Sequence, residues 1–148
     1  GIHSAFGYNK DSGYFEIATS VSSKDTAQAI KEIRKEIDGI KTEIRDDEID
    51  FTKSNLIKRF PAMFETYSQI AHHLSTSLKF NLSENYFDTY INRIVECKKE
   101  DIQTVANNKI RNNELIYVVV GDSETVLPQL KELTDLEIVE LGAEGHGI

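Results

Sequence analysis

Leu115-Ile116-Tyr117-Val118-Val119-Val120-Gly121-Asp122 is the stretch on which the fold turns. A continuous apolar run, rich in β-branched residues and closed by a Gly-Asp turn pair, predicts a strand. Its lack of polar alternation suits the centre of a sheet covered by helices on at least one face. Ser123 follows the turn and is placed to cap a helix bearing Leu127, Leu130 and Leu133, with Pro128 tolerable near its first turn. Residues 136–141 predict a last strand, and the Gly-rich stretch 142–148 a flexible tail. Gly121-Asp122-Ser123 also invites comparison with a phosphate-binding turn. A single glycine outside a Gly-x-Gly-x-x-Gly or Lys-Ser/Thr context favours a plain strand-to-helix connection.

Upstream, residues 2–8 and 14–21 read as two strands joined by the turn cluster Asn9-Lys10-Asp11-Ser12-Gly13, a β-hairpin. Asp25 with Gln28 three residues on has the form of a capping box. It opens a helix whose stripe is Ile30, Ile33, Ile37, Ile40 and Ile44, spaced to pack on a sheet. Asp46-Asp47-Glu48 places negative charge where a second helix begins, as the helix dipole favours. Leu56, Phe60 and Met63 continue an apolar face that Pro61 kinks or divides, and Phe64, Tyr67, Ala71, Leu74 and Leu78 resume it, giving one long broken helix over 46–78. Ser83 is a candidate cap for a helix with Tyr86, Phe87, Tyr90, Ile91 and Ile94. Another helix over 99–108 presents Ile102, Val105 and Ala106. Strands at both ends and helices between them make the expected class α+β, one antiparallel or mixed sheet covered by helices.

Composition sets the outer limits. With 148 residues, 39% hydrophobic and 28% charged, the chain fits one globular domain over 1–148. Seventeen Lys and Arg against 25 Asp and Glu leave a net charge of −8, and the cations are scattered. Nucleic acid is therefore not an expected partner, since phosphate neutralisation needs concentrated positive charge. The one cysteine, Cys97, excludes an internal disulfide. No apolar run approaches the roughly 18 residues that span a bilayer. The start at Gly1 instead of a methionine suggests an N-terminally truncated segment of a longer parent.

The order of segments resembles the pitrilysin/insulinase family of zinc metallopeptidases, specifically the second, catalytically silent domain of a repeated pair. Tyr8, Gly13, Phe15 and Ile17 follow the family's hairpin pattern. Asp47-Glu48-Ile49-Asp50-Phe51-Thr52-Lys53 is similar to its acidic turn, and Phe60-Pro61-Ala62-Met63-Phe64-Glu65-Thr66 to the stretch that follows. Asn85-Tyr86-Phe87-Asp88-Thr89-Tyr90 with Ile94 looks like its Asp-Tyr segment, and Lys99-Glu100-Asp101-Ile102 with Val105-Ala106 like its Glu-Asp-Val helix start. Ile116-Tyr117-Val118-Val119-Val120-Gly121-Asp122 is the closest single match. Two positions depart from the pattern. Lys98 stands where members often have a capping Thr, and Cys97 stands at a usually apolar position, which favours a buried, inert thiol.

The resemblance implies a division of labour. Members bind zinc through an inverted His-x-x-Glu-His motif and a downstream glutamate, with the motif's Glu taking the proton of the metal-bound water. Of the four histidines here, His3, His72, His73 and His146, none has those neighbours. His72 and His73 are adjacent on a predicted helix, so their side chains diverge by about 100° and read as helix-surface residues. Neither catalytic nor metal-ligating residues are assigned to this chain. The Arg and Tyr through which the family's silent domain reaches the substrate would lie upstream of Gly1.

The first expectation is thus the non-catalytic domain of an insulinase-like zinc metalloendopeptidase. It would form one wall of a chamber that encloses peptide substrates, with zinc in the parent's catalytic domain, which is its partner in the same chain or as a separate subunit. The acidic balance would favour basic substrates. A catalytically dead homologue serving as scaffold or partner subunit is the second expectation. An unrelated α+β regulatory domain binding a small ligand is the third, and it alone predicts ligand-induced thermal stabilisation. Export to a periplasm follows from the resemblance to bacterial members.

Overall fold

The computed structural model describes residues 1–133 and 135–142. Among these residues the chain is α+β, with strands β1 (Ile2–Tyr8) and β2 (Gly13–Thr19) followed by helices α1 (Thr26–Thr42), α2 (Asp46–Arg59), α3 (Tyr67–Phe80), α4 (Tyr90–Glu96), α5 (Lys99–Lys109) and α6 (Ser123–Lys131). It separates into two compact units. The first gathers Gly1–Ser4, Ile17–Asp38 and the chain from Asn112, and the second gathers Ala5–Glu16 and Gly39–Arg111.

The hairpin forms where the sequence predicts it. β1 and β2 are paired antiparallel, and the Asn9 N–H donates to the Ser12 carbonyl at 2.8 Å to close the turn. Cross-strand aromatics hold it, with the Phe6 and Phe15 ring centroids 4.9 Å apart. The Tyr14 ring lies over Gly7 in the space a Cβ there would need, so the aromatic supplies the apolar cover that glycine lacks.

In the first unit, α1 buries Ala27 and Ile30, and Leu133 joins them, with Tyr117, Leu130 and Leu136 packed around. The α-helical spacing of Ala27 and Ile30 puts both on one face, and burying a side chain such as Ile30 or Leu133 contributes about 1.5–3 kcal/mol. The Asp25–Gln28 capping box does not form. A short 3-10 turn, Ser23–Asp25, precedes α1, and the Gln28 amide donates instead to Glu32 at 2.8 Å. The N-terminal end of α1 is served from α6: Gln129 Oε1 accepts from the Ala27 N–H at 3.4 Å, and Gln129 Nε2 donates to the Ser23 carbonyl at 2.7 Å. A distant side chain thereby satisfies a donor that the helix itself leaves open.

The start of α6 also differs from expectation by one residue. Asp122 is the N-cap, its carbonyl accepting from the Val126 N–H at 2.9 Å and its carboxylate from the Thr125 hydroxyl at 2.6 Å. Ser123 becomes the first helical residue, which leaves Pro128 inside the helix, beyond its first turn.

The expected central strand over 115–120 is not formed, and the sheet among the described residues is the two-stranded hairpin alone. A helix satisfies its backbone within itself, whereas a strand needs a neighbour. Alternation is present without the ladder: Tyr117 packs on the core, while Ile116, Val118 and Val120 are 89%, 86% and 95% exposed. The last strand over 136–141 is likewise absent, apart from an isolated bridge at Leu141. Of the expected tail, 143–148 lies outside the described residues.

Apart from the hairpin residues Ala5–Glu16, the second unit is helical, and its helix starts follow local chemistry. Asp46, Asp47 and Glu48 occupy the first turn of α2, where the Glu48 carboxylate accepts from the Arg45 N–H at 3.2 Å. Asp101 does the same for the Lys98 N–H of α5 at 2.8 Å, whereas Lys98 at the N-cap has no side-chain oxygen to accept from the first turn as a Thr would. Pro61 opens a 3-10 turn, Pro61–Phe64, and the expected single broken helix becomes two. The second, α3, begins on Thr66, whose hydroxyl accepts from the Gln69 N–H at 3.3 Å while the Gln69 side chain accepts from the Thr66 N–H at 2.9 Å. It ends at Asn81, held left-handed at φ 48°.

The helix expected after Ser83 is shorter than the sequence suggests, because Tyr86 and Phe87 lie in turns and α4 begins at Tyr90. The Ser83 carbonyl accepts from the Tyr86 N–H, and the Thr89 hydroxyl donates to the Asn85 carbonyl at 3.0 Å, local bonds that compete with helix. Ile44, Ala106 and Ile110 are the buried apolar residues of this unit, while Val105, expected inward, is exposed.

Candidate functional site

The chemistry-bearing cluster of the first unit is built from α1 and the two unladdered segments. Arg34 sits on α1 one turn beyond buried Ile30. Its Nε donates to the Tyr117 hydroxyl and its Nη1 to the Asp135 carboxylate, both at 2.8 Å, and its guanidinium carbon lies 5.1 Å from the Tyr117 ring centroid. The planar fork thus reads two segments at once. The Tyr117 hydrogen bond, followed by that of Asp135, raises the Arg34 guanidinium above its ordinary value, so it stays charged at every accessible pH. This tie holds Tyr117 inward and, through the pleat of the run, turns Ile116 and Val118 outward.

Charge around this surface is one-sided. Between Leu115 and Leu141 the carboxylates Asp122, Glu124, Glu132, Asp135, Glu137 and Glu140 are all exposed, against one cation, Lys131. The other major stretch of the unit, 17–38, is balanced, with Lys24, Lys31, Arg34 and Lys35 against Asp25, Glu32, Glu36 and Asp38. The negative charge of the unit therefore lies with the apolar C-terminal segments and their connections.

In the second unit an aromatic group surrounds His73. Its ring centroid is 5.1 Å from Phe64 and 5.5 Å from Phe87, and Phe60 stacks on Tyr90 at 4.9 Å. These contacts decide the rotation of α3 and overturn the expected inward stripe: His73 and Phe80 are half-buried, whereas Tyr67, Leu74 and Leu78 are 92%, 60% and 84% exposed. An open depression of about 510 Å³ lies in the same unit, lined by Asp46, Lys53, Cys97 and Lys99 among others. Lys99 is paired with Asp46 at 2.8 Å and Lys53 donates to the Val95 carbonyl at 2.8 Å, so both ammonium groups are engaged in structure. Cys97, expected to be buried, is half-buried at the end of α4, and its Sγ lies 3.8 Å from the Lys98 carbonyl.

The histidines do not assemble. His3 is exposed on β1, His146 lies outside the described residues, and His72 is exposed beside the half-buried His73, their rings 5.4 Å apart and tilted by 74°. No group of His, Cys, Asp or Glu among the described residues is arranged to hold a metal ion. The Arg34–Tyr117–Asp135 cluster was missed from the sequence. Its signal was present: Tyr117 is the only side chain in the run 115–120 with a polar atom, which requires a partner when the ring packs inward. No known protein family matches the chain, and no curated protein or solved structure matches it at a significant level.

Proposed function

We propose that this chain is a non-catalytic domain portion of an insulinase-like zinc metalloendopeptidase, contributing a wall of the chamber in which a catalytic partner domain cleaves peptides. The observation that carries the reading is apolar surface in both units: Tyr67, Leu74 and Leu78 on α3, and Ile116, Val118 and Val120 in the extended segment, each more than half exposed. Apolar surface on this scale is expected of a part that works while covered by other protein. The family-like order of segments in the sequence from Tyr8 to Gly145 supports the identity of the parent. In this reading the chain supplies shape and charge, and the metal, the activated water and the proton-accepting glutamate belong to the partner domain.

Peptide mapping of the native protein tests the proposal. A parent carrying His-x-x-Glu-His with a downstream Glu, whose peptidase activity falls when this portion is deleted, is the expected result. A parent in which the zinc motif is missing or its ligands replaced overturns the peptidase reading and leaves the scaffold role.

A further inference from the structure

We propose that residues 115–120 form an open β-edge that docks an extended, lysine- or arginine-bearing strand from another polypeptide. This goes beyond the chamber-wall reading and does not depend on it, since docking to a peptide requires neither zinc nor cleavage. Three observations carry it. First, the run has the composition of a strand and the inward packing of one, through Tyr117 on the Ala27, Ile30 and Leu133 core, yet it belongs to no ladder among the described residues. A strand-like run without a ladder neighbour offers its backbone N–H and C=O groups as a template for pairing. Second, Ile116, Val118 and Val120 are almost fully exposed at alternate positions, where the side chains of an added strand would lie against them.

Third, charge selects the occupant. The run is followed by Asp122 and Glu124, and the segment after Leu136, which packs on the same core as Tyr117, adds Glu137 and Glu140, all exposed, with Lys131 as the one cation between Leu115 and Leu141. A second copy of this surface would bring its own carboxylates and, between Leu115 and Leu141, only Lys131 to answer them. A strand alternating apolar residues with Lys or Arg meets the apolar stripe with one face and the carboxylates with its cations. Arg34 fixes the template by holding Tyr117 and Asp135 together.

The test uses the full chain and three synthetic peptides: one alternating Val and Lys, one alternating Val and Glu, and an N-methylated copy of the first that keeps its charge but cannot donate along one edge. Fluorescence anisotropy measures binding, and amide exchange locates it. The expected result is binding of the Val-Lys peptide at least about tenfold tighter than the Val-Glu peptide at low salt, weakened by salt. It should be lost on N-methylation and accompanied by protection of the 115–120 amides. Val118→Lys should reduce that binding by about tenfold and Val118→Thr preserve it, both on an exposed side chain that the fold does not need. Equal binding of the N-methylated peptide would show bare charge attraction and overturn the proposal. So would equal binding of the Val-Glu peptide, or self-association of the chain through 115–120 without peptide binding. Success or failure here leaves the zinc-motif test of the parent unaffected.

Discussion

The second unit and the C-terminal part of the first meet the same problem, how to satisfy backbone and bury apolar side chains, by opposite means. α2, α3 and α5 satisfy their backbone internally and recruit adjacent residues, Glu48, Gln69 and Asp101, for the donors left at their starts. Segments 115–120 and 136–141 have the apolar sequence of strands but no ladder among the described residues, and they are held by side chains instead, through Leu136, Tyr117 and the Arg34 fork. Local hydrogen bonding makes an element self-sufficient, whereas side-chain anchoring leaves its backbone available.

The contrast breaks most severely at the anchor. Leu133→Ala removes a 5%-exposed side chain from the core formed with Ala27 and Ile30, and the expected cost is about 2–5 kcal/mol, read as a lower urea midpoint with the loss seen first in the first unit. Arg34→Met keeps much of the stem but removes both hydrogen bonds to partly exposed partners. About 1 kcal/mol is expected, with new mobility at Tyr117 in NMR relaxation and little change in α3. If α3 responded equally, the division into two regimes would be wrong.

Smaller effects sharpen the other side. Thr66→Ala deletes one half of the α3 capping box and should cost about 1 kcal/mol, with faster amide exchange confined to the first turn of α3. Asn81→Gly should be neutral or stabilise by a few tenths of a kcal/mol, because the αL conformation at φ 48° carries no Cβ penalty in glycine. A thermal melt of the variant measures it.

The smallest effect is one of pH. Hydrogen bonding to Asp46 raises Lys99 above its ordinary value of 10.5. A raised cation stabilises the fold fully below that value and loses its contribution as pH climbs through the folded one. Melts should therefore show a slight stability loss above about pH 10.5, absent in Lys99→Gln, and the exposure of the ammonium keeps it small.

What could be read from the chain follows the same divide. The hairpin was legible because Asn9 to Gly13 is a turn cluster between aromatic strands, and the start of α2 because an acidic triplet sits at its head. The division of 46–78 was announced by Pro61. The rotation of α3 was not legible, since Leu74 and Leu78 are better apolar markers than His73, and only the packing of Phe64 and Phe87 reveals which face turns in. The central strand failed for a related reason: apolar content identifies a strand-forming sequence but says nothing about whether a neighbour is present. Gln129, which serves the start of α1, and Arg34, which ties Tyr117 to Asp135, act far from their own positions in the chain. Spacing rules do not see such contacts.

Amide hydrogen exchange of the full chain, resolved residue by residue, tests the central claim most directly. The account predicts that the amides of 115–120 exchange rapidly while those in the middle of α3 and α5 are protected, despite the more apolar sequence of the former. Protection of 115–120 equal to that of the helices, in the chain alone, would mean that the run already has a ladder partner and that no open edge exists.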